Sequence, residues 1–171
     1  MSDDELIKKI KGGDEAAAKE LIDRYYAAIL RYCGWHCAVP DQAEDLAQET
    51  FFKLFRSLPG YRGRKKFGAY LYTIANRLCI DESRKMPFYS LEDAEKIADE
   101  QNDIAQVEQR EEIRRLLSVL SEEQREAVIL RFGQELGFSE IAKVMDCSMR
   151  TAQSRVRNAL RLMKKEFGDE K

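Results

Sequence analysis

The fold of this chain is decided by residues 138–156, which read FSEIAKVMDCSMRTAQSRV. The first part, residues 138–145, has apolar residues at the spacing of one helical face, and a polar turn at residues 146–148 follows it. Beyond the turn, Met149–Phe167 carries Ala152, Val156, Ala159, Leu160 and Met163 on one helical face, which is predicted to point inward. A short helix, a tight turn and a longer helix in this order predict a helix-turn-helix.

The second helix of this unit is strongly basic. It carries four arginines and two lysines against the single acid Glu166, although the whole chain has a net charge of -2. Cations on a helix that fits the major groove attract phosphates, and polar side chains near its N-terminus can reach base edges. The alternative is an ordinary solvated face of a bundle helix, because most charge runs are no more than that. The short helix and turn before it favour DNA binding.

Outside this unit, helical periodicity covers most of the chain, and the sequence has no strand-period segment and no repeat of fixed length. Helix-opening caps are predicted at Ser2 with Glu5, at Asp14, at Asp41 with Glu44 and at Ser121 with Gln124. The prolines at positions 40, 59 and 87 fall between periodic segments, where helices should stop. We therefore predict an all-α fold of two small helical domains, residues 1–87 and 111–171.

The segment between the two predicted domains differs in composition from both. Residues 88–112 hold nine acidic residues against two basic ones and few large apolar side chains. Such a segment cannot easily bury enough apolar surface to offset the entropy lost on ordering it. We therefore predict that residues 88–110 form a flexible acidic linker.

The composition favours a cytoplasmic protein. Hydrophobic residues make up 44% of the chain and charged residues 35%, which suits packed cores beneath a charged surface. No apolar run approaches the roughly 20 residues that span a bilayer, and the acidic start MSDDE is unlike a secretory signal. We expect no membrane insertion.

A cluster of Cys33, His36 and Cys37 suggests a zinc or redox site. Only three ligands lie close together, however, and a structural zinc site normally takes four. Buried thiols are favoured instead, because Cys33 continues a helical apolar stripe and free cysteine behaves as a small hydrophobe. The sequence has one histidine, no Ser/His pair and no glycine-rich phosphate loop. We therefore expect no metal, no cofactor and no enzymatic activity.

Basic and aromatic residues alternate in the middle of the first domain. A basic loop contains Arg62, Arg64, Lys65 and Lys66 and directly precedes Phe67, Tyr70 and Tyr72. Cations can hold a nucleic-acid backbone while exposed rings stack on unpaired bases, each stack contributing about 1–3 kcal/mol. Core packing is an equally good explanation for any one ring. Tyr70 is the ring we expect to be exposed, because it lies one step off the apolar stripe.

The predicted helix that begins near Asp41 has one aromatic residue on its polar face. Phe52 is surrounded there by Asp45, Gln48, Glu49, Lys53 and Arg56. An exposed ring with a polar rim is a common anchor for a protein partner. Single exposed apolar residues are also normal, so both interpretations stay open.

With these residues in view, the chain resembles the extracytoplasmic-function (ECF) group of bacterial sigma factors, in the sigma-70 family, over nearly its whole length. Residues 41–55, DQAEDLAQETFFKLF, and 67–81, FGAYLYTIANRLCID, are similar to region 2 of that family. Residues 138–156 are similar to region 4. Helix-turn-helix segments are widespread, so it is the two motifs in this order that make the resemblance specific.

The resemblance implies a non-catalytic subunit that joins core RNA polymerase, recognises promoter DNA and helps to open it. It implies contacts to the clamp helices of the largest polymerase subunit by Asp45, Gln48, Glu49 and Phe52. It implies contacts to the minus-ten element by Arg62, Arg64, Lys65, Lys66, Tyr70, Asn76 and Arg77. It implies contacts to the minus-thirty-five element by Arg150, Thr151, Gln153, Ser154, Arg155, Arg157, Asn158 and Arg161. An anti-sigma factor is a further expected partner.

The sequence departs from the family pattern at three places. Residues 148–151 read SMRT where members often have Pro-x-Gly-Thr, so Arg150 adds a cation at the head of the recognition helix and the usual minus-thirty-five sequence is not assumed. Ser121 replaces a proline but is itself a capping residue. Tyr70 stands where tryptophan is common and keeps an aromatic ring.

Two other classes of protein are compatible with the same residues. The first is a stand-alone helix-turn-helix regulator, which would bind its DNA tightly as a dimer without polymerase. The second is a protein-interaction module, such as an adaptor or antagonist of transcription, whose binding would not depend on DNA. Replacing Arg157 and Asn158 with alanine separates them, because only a DNA-binding protein would then lose sequence-specific recognition.

Overall fold

The structure is a computed structural model that describes residues 1–37, 39–63, 66–85 and 104–168. These residues form helices and connecting turns and include no strand, which confirms the predicted all-α class. The first domain contains α1 (Asp3–Lys11), α2 (Glu15–Gly34), α3 (Pro40–Ser57) and α4 (Phe67–Lys85), with a 3-10 turn at Leu58–Gly60. The second contains α5 (Ile104–Ser118), α6 (Glu122–Val128), α7 (Phe138–Val144) and α8 (Met149–Phe167), with a π-helical turn at Ile129–Gly133.

Side-chain caps begin several of the helices, mostly where the sequence predicts them. Ser2 with Glu5 and Ser121 with Gln124 form capping boxes, and Asp14 Oδ1 accepts a hydrogen bond from Ala17 N (3.1 Å). The cap predicted at Asp41 and Glu44 is wrong. Helix α3 begins at Pro40, and its N-cap Val39 supplies no side-chain hydrogen bond. Proline suits the first helical position because its missing N–H would be unsatisfied there anyway.

The first domain has an apolar core to which all four of its helices contribute. Leu6, Leu21, Ile29, Leu54 and Leu71 are at most 1% exposed. Each such side chain contributes about 1.5–3 kcal/mol when it leaves water. The core holds α4 in place at its N-terminal end, where the basic loop meets the helix.

The second domain contains the predicted helix-turn-helix, formed by α7 and α8. Ile141 of α7 and Ala152 and Ala159 of α8 are fully buried. Asp146 in the turn has φ 52°, a left-handed conformation that aspartate tolerates better than most residues. The predicted inward face of α8 is correct except at Leu160, which is 43% exposed.

The described part of the predicted linker is helical. Helix α5 begins at Ile104, so residues 104–110 are helical although they were assigned to the linker. The rest of the predicted linker, residues 88–103, lies outside the described residues. Of the helices that the structure describes, none has the length and hydropathy needed to cross a membrane.

Candidate nucleic-acid interface

The recognition helix α8 presents most of its predicted DNA-binding residues to solvent. Exposed side chains are Arg150, Gln153, Arg157, Asn158 and Arg161, and half-buried ones are Thr151, Ser154 and Arg155. The helix is oriented by Ala152, Val156 and Ala159, which lie on its opposite side and are at most 4% exposed. The eight predicted residues therefore lie on one helix outside the core.

A single serine orders the first turn of α8. Ser148 Oγ accepts a hydrogen bond from Thr151 N (3.0 Å) and donates one to Thr151 Oγ1 (2.8 Å). This cap satisfies an N–H group that the helix itself cannot satisfy. The turn that it orders carries Arg150 at its exposed surface.

Two aromatic rings, those of Tyr61 and Tyr70, pack next to the basic loop of the first domain. The ring of Tyr61 is 9% exposed and lies 4.5 Å from that of Tyr70, centroid to centroid. Tyr70 also hydrogen-bonds to Ser57 and is half-buried, not fully exposed as expected. The backbone at Gly63 lies close to the Tyr61 side chain. A Cβ at residue 63 would be only 2.6 Å from Tyr61 Oη.

The other predicted minus-ten residues differ in their exposure. Arg62, Lys66 and Arg77 are exposed, whereas Asn76 is only 5% exposed. Arg64 and Lys65 lie outside the described residues. Phe67 and Tyr72, which formed the aromatic part of the sequence pattern, are 2% and 4% exposed and belong to the core. Arg62, Lys66 and Arg77 thus remain accessible at the surface, and these two rings do not.

Asn76 is buried because the second domain covers it. Its Nδ2 donates hydrogen bonds to Glu126 Oε1 of α6 (3.1 Å) and to Tyr32 Oη (2.9 Å). Tyr32 in turn donates to Glu126 Oε1. His36 Nε2 lies 3.0 Å from Glu126 Oε2, without the alignment of a good hydrogen bond. We call Glu126, Tyr32, His36 and Asn76 the interdomain cluster.

The interdomain cluster shifts the pKa values of its own members. Burial by itself would raise the pKa of Glu126, but the neighbouring His36 and the hydrogen bonds that the carboxylate accepts outweigh burial and lower that pKa. Burial, and then the nearby Glu126 carboxylate, raise the pKa of Tyr32 well above its ordinary value. The cluster is therefore an ionised carboxylate facing a protonated phenol.

Further contacts join the two domains on either side of this cluster. Tyr72 Oη donates a hydrogen bond to Gln134 Oε1 (2.7 Å). Arg114 Nη2 donates to the Gly34 carbonyl oxygen (3.2 Å), and the Arg114 guanidinium carbon lies 5.2 Å from the centre of the Trp35 ring. Sequence reasoning missed these contacts, because they join residues more than 60 positions apart.

The polar face of α3 forms a separate exposed surface. Asp45, Gln48 and Glu49 are exposed, and Phe52 is 56% exposed, as predicted from its charged neighbours. The guanidinium carbon of Arg56 lies 5.6 Å from the Phe52 ring centre, which positions the ring without covering it. The structure therefore brings the four predicted polymerase-binding residues together on one helix face.

The cysteines of the first domain are buried thiols. Cys33 and Cys79 are fully buried and Cys37 is 2% exposed. Burial, and then the neighbouring Cys33, raise the pKa of Cys37 to about 12. Such thiols are poor nucleophiles because the thiolate is the reactive form. Among the described residues, no group of three or more His, Cys, Asp or Glu side chains is arranged to hold a metal ion.

The geometry defines a class of protein: an all-helical, two-domain DNA-binding protein with an exposed basic helix-turn-helix. The sigma-70 region 2 model matches residues 21–86, and the sigma-70 region 4 model matches residues 110–163. Together these ranges cover 120 of the 171 residues. The chain belongs to the sigma-70 family and is an RNA polymerase sigma factor of the ECF type.

Named relatives agree with this family, and solved structures share its fold. ECF RNA polymerase sigma factor SigW of Bacillus subtilis is 27% identical over 95% of this chain and 95% of its own length. The ECF RNA polymerase sigma-E factor of Escherichia coli K12 is 28% identical over 91% of this chain and 89% of its own. CnrH, solved in complex with the cytosolic domain of CnrY, has a TM-score of 0.75 at 19% identity, over 97% of both chains. The sigma factor RpoE of Bartonella quintana, solved with the anti-sigma factor NepR, has a TM-score of 0.68 at 20% identity, over 90% of this chain and 98% of its own.

Proposed function

We propose that this chain directs core RNA polymerase to promoters through three separate surfaces and catalyses no reaction itself. The exposed basic face of α8, ordered by the Ser148 cap, is the observation that carries the proposal. The first domain, residues 1–87, binds core polymerase and the minus-ten element, and the second, residues 111–171, binds the minus-thirty-five element. The site of action is the cytoplasm, where transcription takes place in a bacterium.

The minus-thirty-five element is read by α8 in duplex DNA. Gln153, Ser154, Arg157 and Asn158 read base edges from the major groove, and Thr151 contributes at the first turn. Arg150, Arg155 and Arg161 hold phosphates. The exposure of five of these eight side chains supports this division, since base edges and phosphates are reached only from the surface of the helix.

The minus-ten element is held by the basic loop and the helix that follows it. Arg62, Arg64, Lys65, Lys66 and Arg77 hold the backbone, and Tyr70 stacks on an unpaired base. Asn76 reaches DNA only after the second domain has moved away from it, since Glu126 covers it in this structure.

Core polymerase is bound by the polar face of α3. Asp45, Gln48 and Glu49 face the clamp helices of the largest subunit, with Phe52 as the central anchor. Support comes from the exposed ring with a polar rim, which is the usual composition of an energetically important contact.

An anti-sigma factor is proposed as the regulator of this chain. Two structures with the same fold are complexes, one with the anti-sigma factor NepR and one with the cytosolic domain of CnrY. An inhibitor that covers the α3 face or the basic loop would prevent both polymerase and promoter binding.

The test is run-off transcription with core polymerase, this chain and fragments of the genome of origin. Initiation at defined start sites is expected only when the chain is present. The double variant Arg157→Ala, Asn158→Ala should lose promoter preference, whereas Lys164→Ala, Lys165→Ala at the far end of α8 should keep it. Tight dimeric binding to the same DNA without polymerase would instead establish the stand-alone regulator. Partner binding without any DNA dependence would establish the interaction module.

A further inference from the structure

Helix α1 lies outside both ranges matched by the family models, the first of which begins at residue 21. The structure nevertheless packs α1 against the first domain through Leu6 and Ile7, which are 1% and 4% exposed. The last turn of the helix reaches the basic loop, where Lys11 Nζ donates a hydrogen bond to the Tyr61 carbonyl oxygen (2.5 Å). This contact fixes the position of α1 relative to the loop.

An open cleft of about 310 Å³ separates α1 from the loop. It is lined by Asp4, Ile7, Lys8 and Lys11 of α1 and by Tyr61, Arg62 and Gly63 of the loop. Lys8, Lys11 and Arg62 are exposed, so three cations face the cleft against one carboxylate. Three cations at one cleft favour an anion such as a phosphate group, which lysine and arginine side chains hold in protein–DNA contacts.

We propose that this cleft binds a backbone phosphate of the DNA strand that region 2 contacts, with Lys8 and Arg62 as its main ligands. The site rests on the proposed function, because Arg62 belongs to the loop proposed to hold the minus-ten element. Lys11 contributes charge and, through Tyr61, holds the loop at the edge of the cleft. Helix α1 thereby extends the DNA surface beyond the residues that match region 2.

A purely structural role for these lysines is the competing explanation. Lys8, Lys9 and Lys11 lie in the last turn of α1, where cations stabilise a helix through its dipole. Lys9 shares this position but does not line the cleft. The variant Lys9→Ala is therefore a matched control for Lys8→Ala.

The experiment measures how salt affects the binding of the full-length chain to a fluorescein-labelled single-stranded DNA of about 20 nucleotides. Each phosphate contact to a single strand contributes about 0.7 to the slope of log K against log salt. The slope should therefore fall by about 0.7 in Lys8→Ala and stay unchanged in Lys9→Ala. Equal slopes in the two variants, or no binding by the parent chain, would overturn the phosphate site. Run-off transcription tests the proposed function separately, since promoter preference depends on α8.

The contact between the two domains supports a second proposal, carried by different residues. The interdomain cluster buries the carboxylate of Glu126 beneath the first domain, with the residue 8% exposed. Next to it, Lys66 of the basic loop lies close enough to Lys143 of α7 to lower the pKa of Lys143. The loop and the helix-turn-helix are therefore neighbours in this arrangement.

In this arrangement the two domains lie too close together to bind both promoter elements at once. The positions that name the minus-ten and minus-thirty-five elements place them about 25 base pairs apart, or about 85 Å along the duplex at about 3.4 Å per base pair. A compact chain of 171 residues has a radius of gyration of only about 16 Å. The domains must therefore separate before both elements can be bound. The 18 residues between Lys85 and Ile104 can span at most about 60 Å, which allows that separation.

The geometry points to Glu126 as the residue that holds the two domains together in this closed form of the isolated chain. The carboxylate accepts hydrogen bonds from Tyr32 and Asn76 and faces His36. Removing one partner of such a buried group leaves the others without a counterpart, so a single substitution at this point should open the chain.

Small-angle X-ray scattering of the isolated full-length chain measures the opening directly. Glu126→Ala should raise the radius of gyration from about 16 Å towards about 23 Å, the value for two domains of about 80 residues whose centres lie about 40 Å apart. The control Glu122→Ala, an exposed acid on the same helix, should stay compact. Tyr32→Phe removes only a hydroxyl on the other domain and should shift the value in the same direction. A parent chain that is already extended, or two cluster variants as compact as the control, would refute the closed form.

Discussion

Replacing Ser148 with alanine tests whether order in the first turn of α8 controls promoter recognition. The substitution removes the hydrogen bonds that join Ser148 Oγ to Thr151 N and Oγ1. Loss of a serine N-cap destabilises a helix by about 1 kcal/mol. For a chain of this size, that should lower Tm by about 2–4 °C. If DNA binding requires an ordered first turn, the variant must order this turn when it binds. The cost of about 1 kcal/mol should then weaken promoter binding about fivefold.

The matched control is Ser2→Ala, which removes the same kind of cap from α1, where Ser2 Oγ accepts from Glu5 N (3.2 Å). Differential scanning calorimetry measures the stability of both variants, and footprinting of the holoenzyme measures their promoter affinity. Both should lose stability, but only Ser148→Ala should lose affinity at the minus-thirty-five element. Equal promoter affinities for the two variants would show that order in this turn does not position the contacts.

Three other outcomes are expected. Alanine at Arg157 or Asn158 should each weaken recognition of one base pair by about 1–3 kcal/mol, measured by binding to promoters altered at single positions. Phe52→Ala should weaken core polymerase binding at least tenfold without changing Tm, because the ring is 56% exposed; an unaffected affinity in fluorescence titration would remove it from the polymerase surface. The pKa of Glu126 is below its ordinary 4.5, because the interaction with His36 and the hydrogen bonds to the carboxylate outweigh burial. The ionised Glu126 carboxylate therefore contributes fully to the free energy of unfolding above about pH 4.5, and this contribution is lost as the pH falls below that value. In thermal unfolding, Glu126→Gln should make the fall of Tm at acidic pH less steep.

Local sequence patterns predicted the recognition helix well, because both its orientation and its beginning are local properties. Ala152, Val156 and Ala159 repeat at four and three positions, so the apolar stripe fixes which residues face solvent. The same reasoning placed Phe52 on the outside of α3. It failed for the beginning of that helix, because the capping pattern at Asp41 is overridden by Pro40 at the first position.

The environment of Asn76 could not be predicted from sequence, because it depends on residues far along the chain. Its partners Tyr32 and Glu126 are 44 and 50 positions away, and no spacing rule connects them. One signal was present: Glu126 directly precedes Ala127 and Val128, which the helical pattern turns inward. An acid in such a stripe needs a polar partner from another element.

Gly63 makes tolerance to mutation very uneven along the basic loop. The Tyr61 ring beneath it is confined by Tyr70 on one side and by Phe67 on another, with the Phe67 centroid 6.2 Å away. A methyl group at residue 63 would lie 2.6 Å from a hydroxyl that has little room to retreat. Arg62 next to it is exposed and free of this restriction. Substitutions that change the charge at residue 62 should therefore be tolerated, whereas residue 63 should remain glycine.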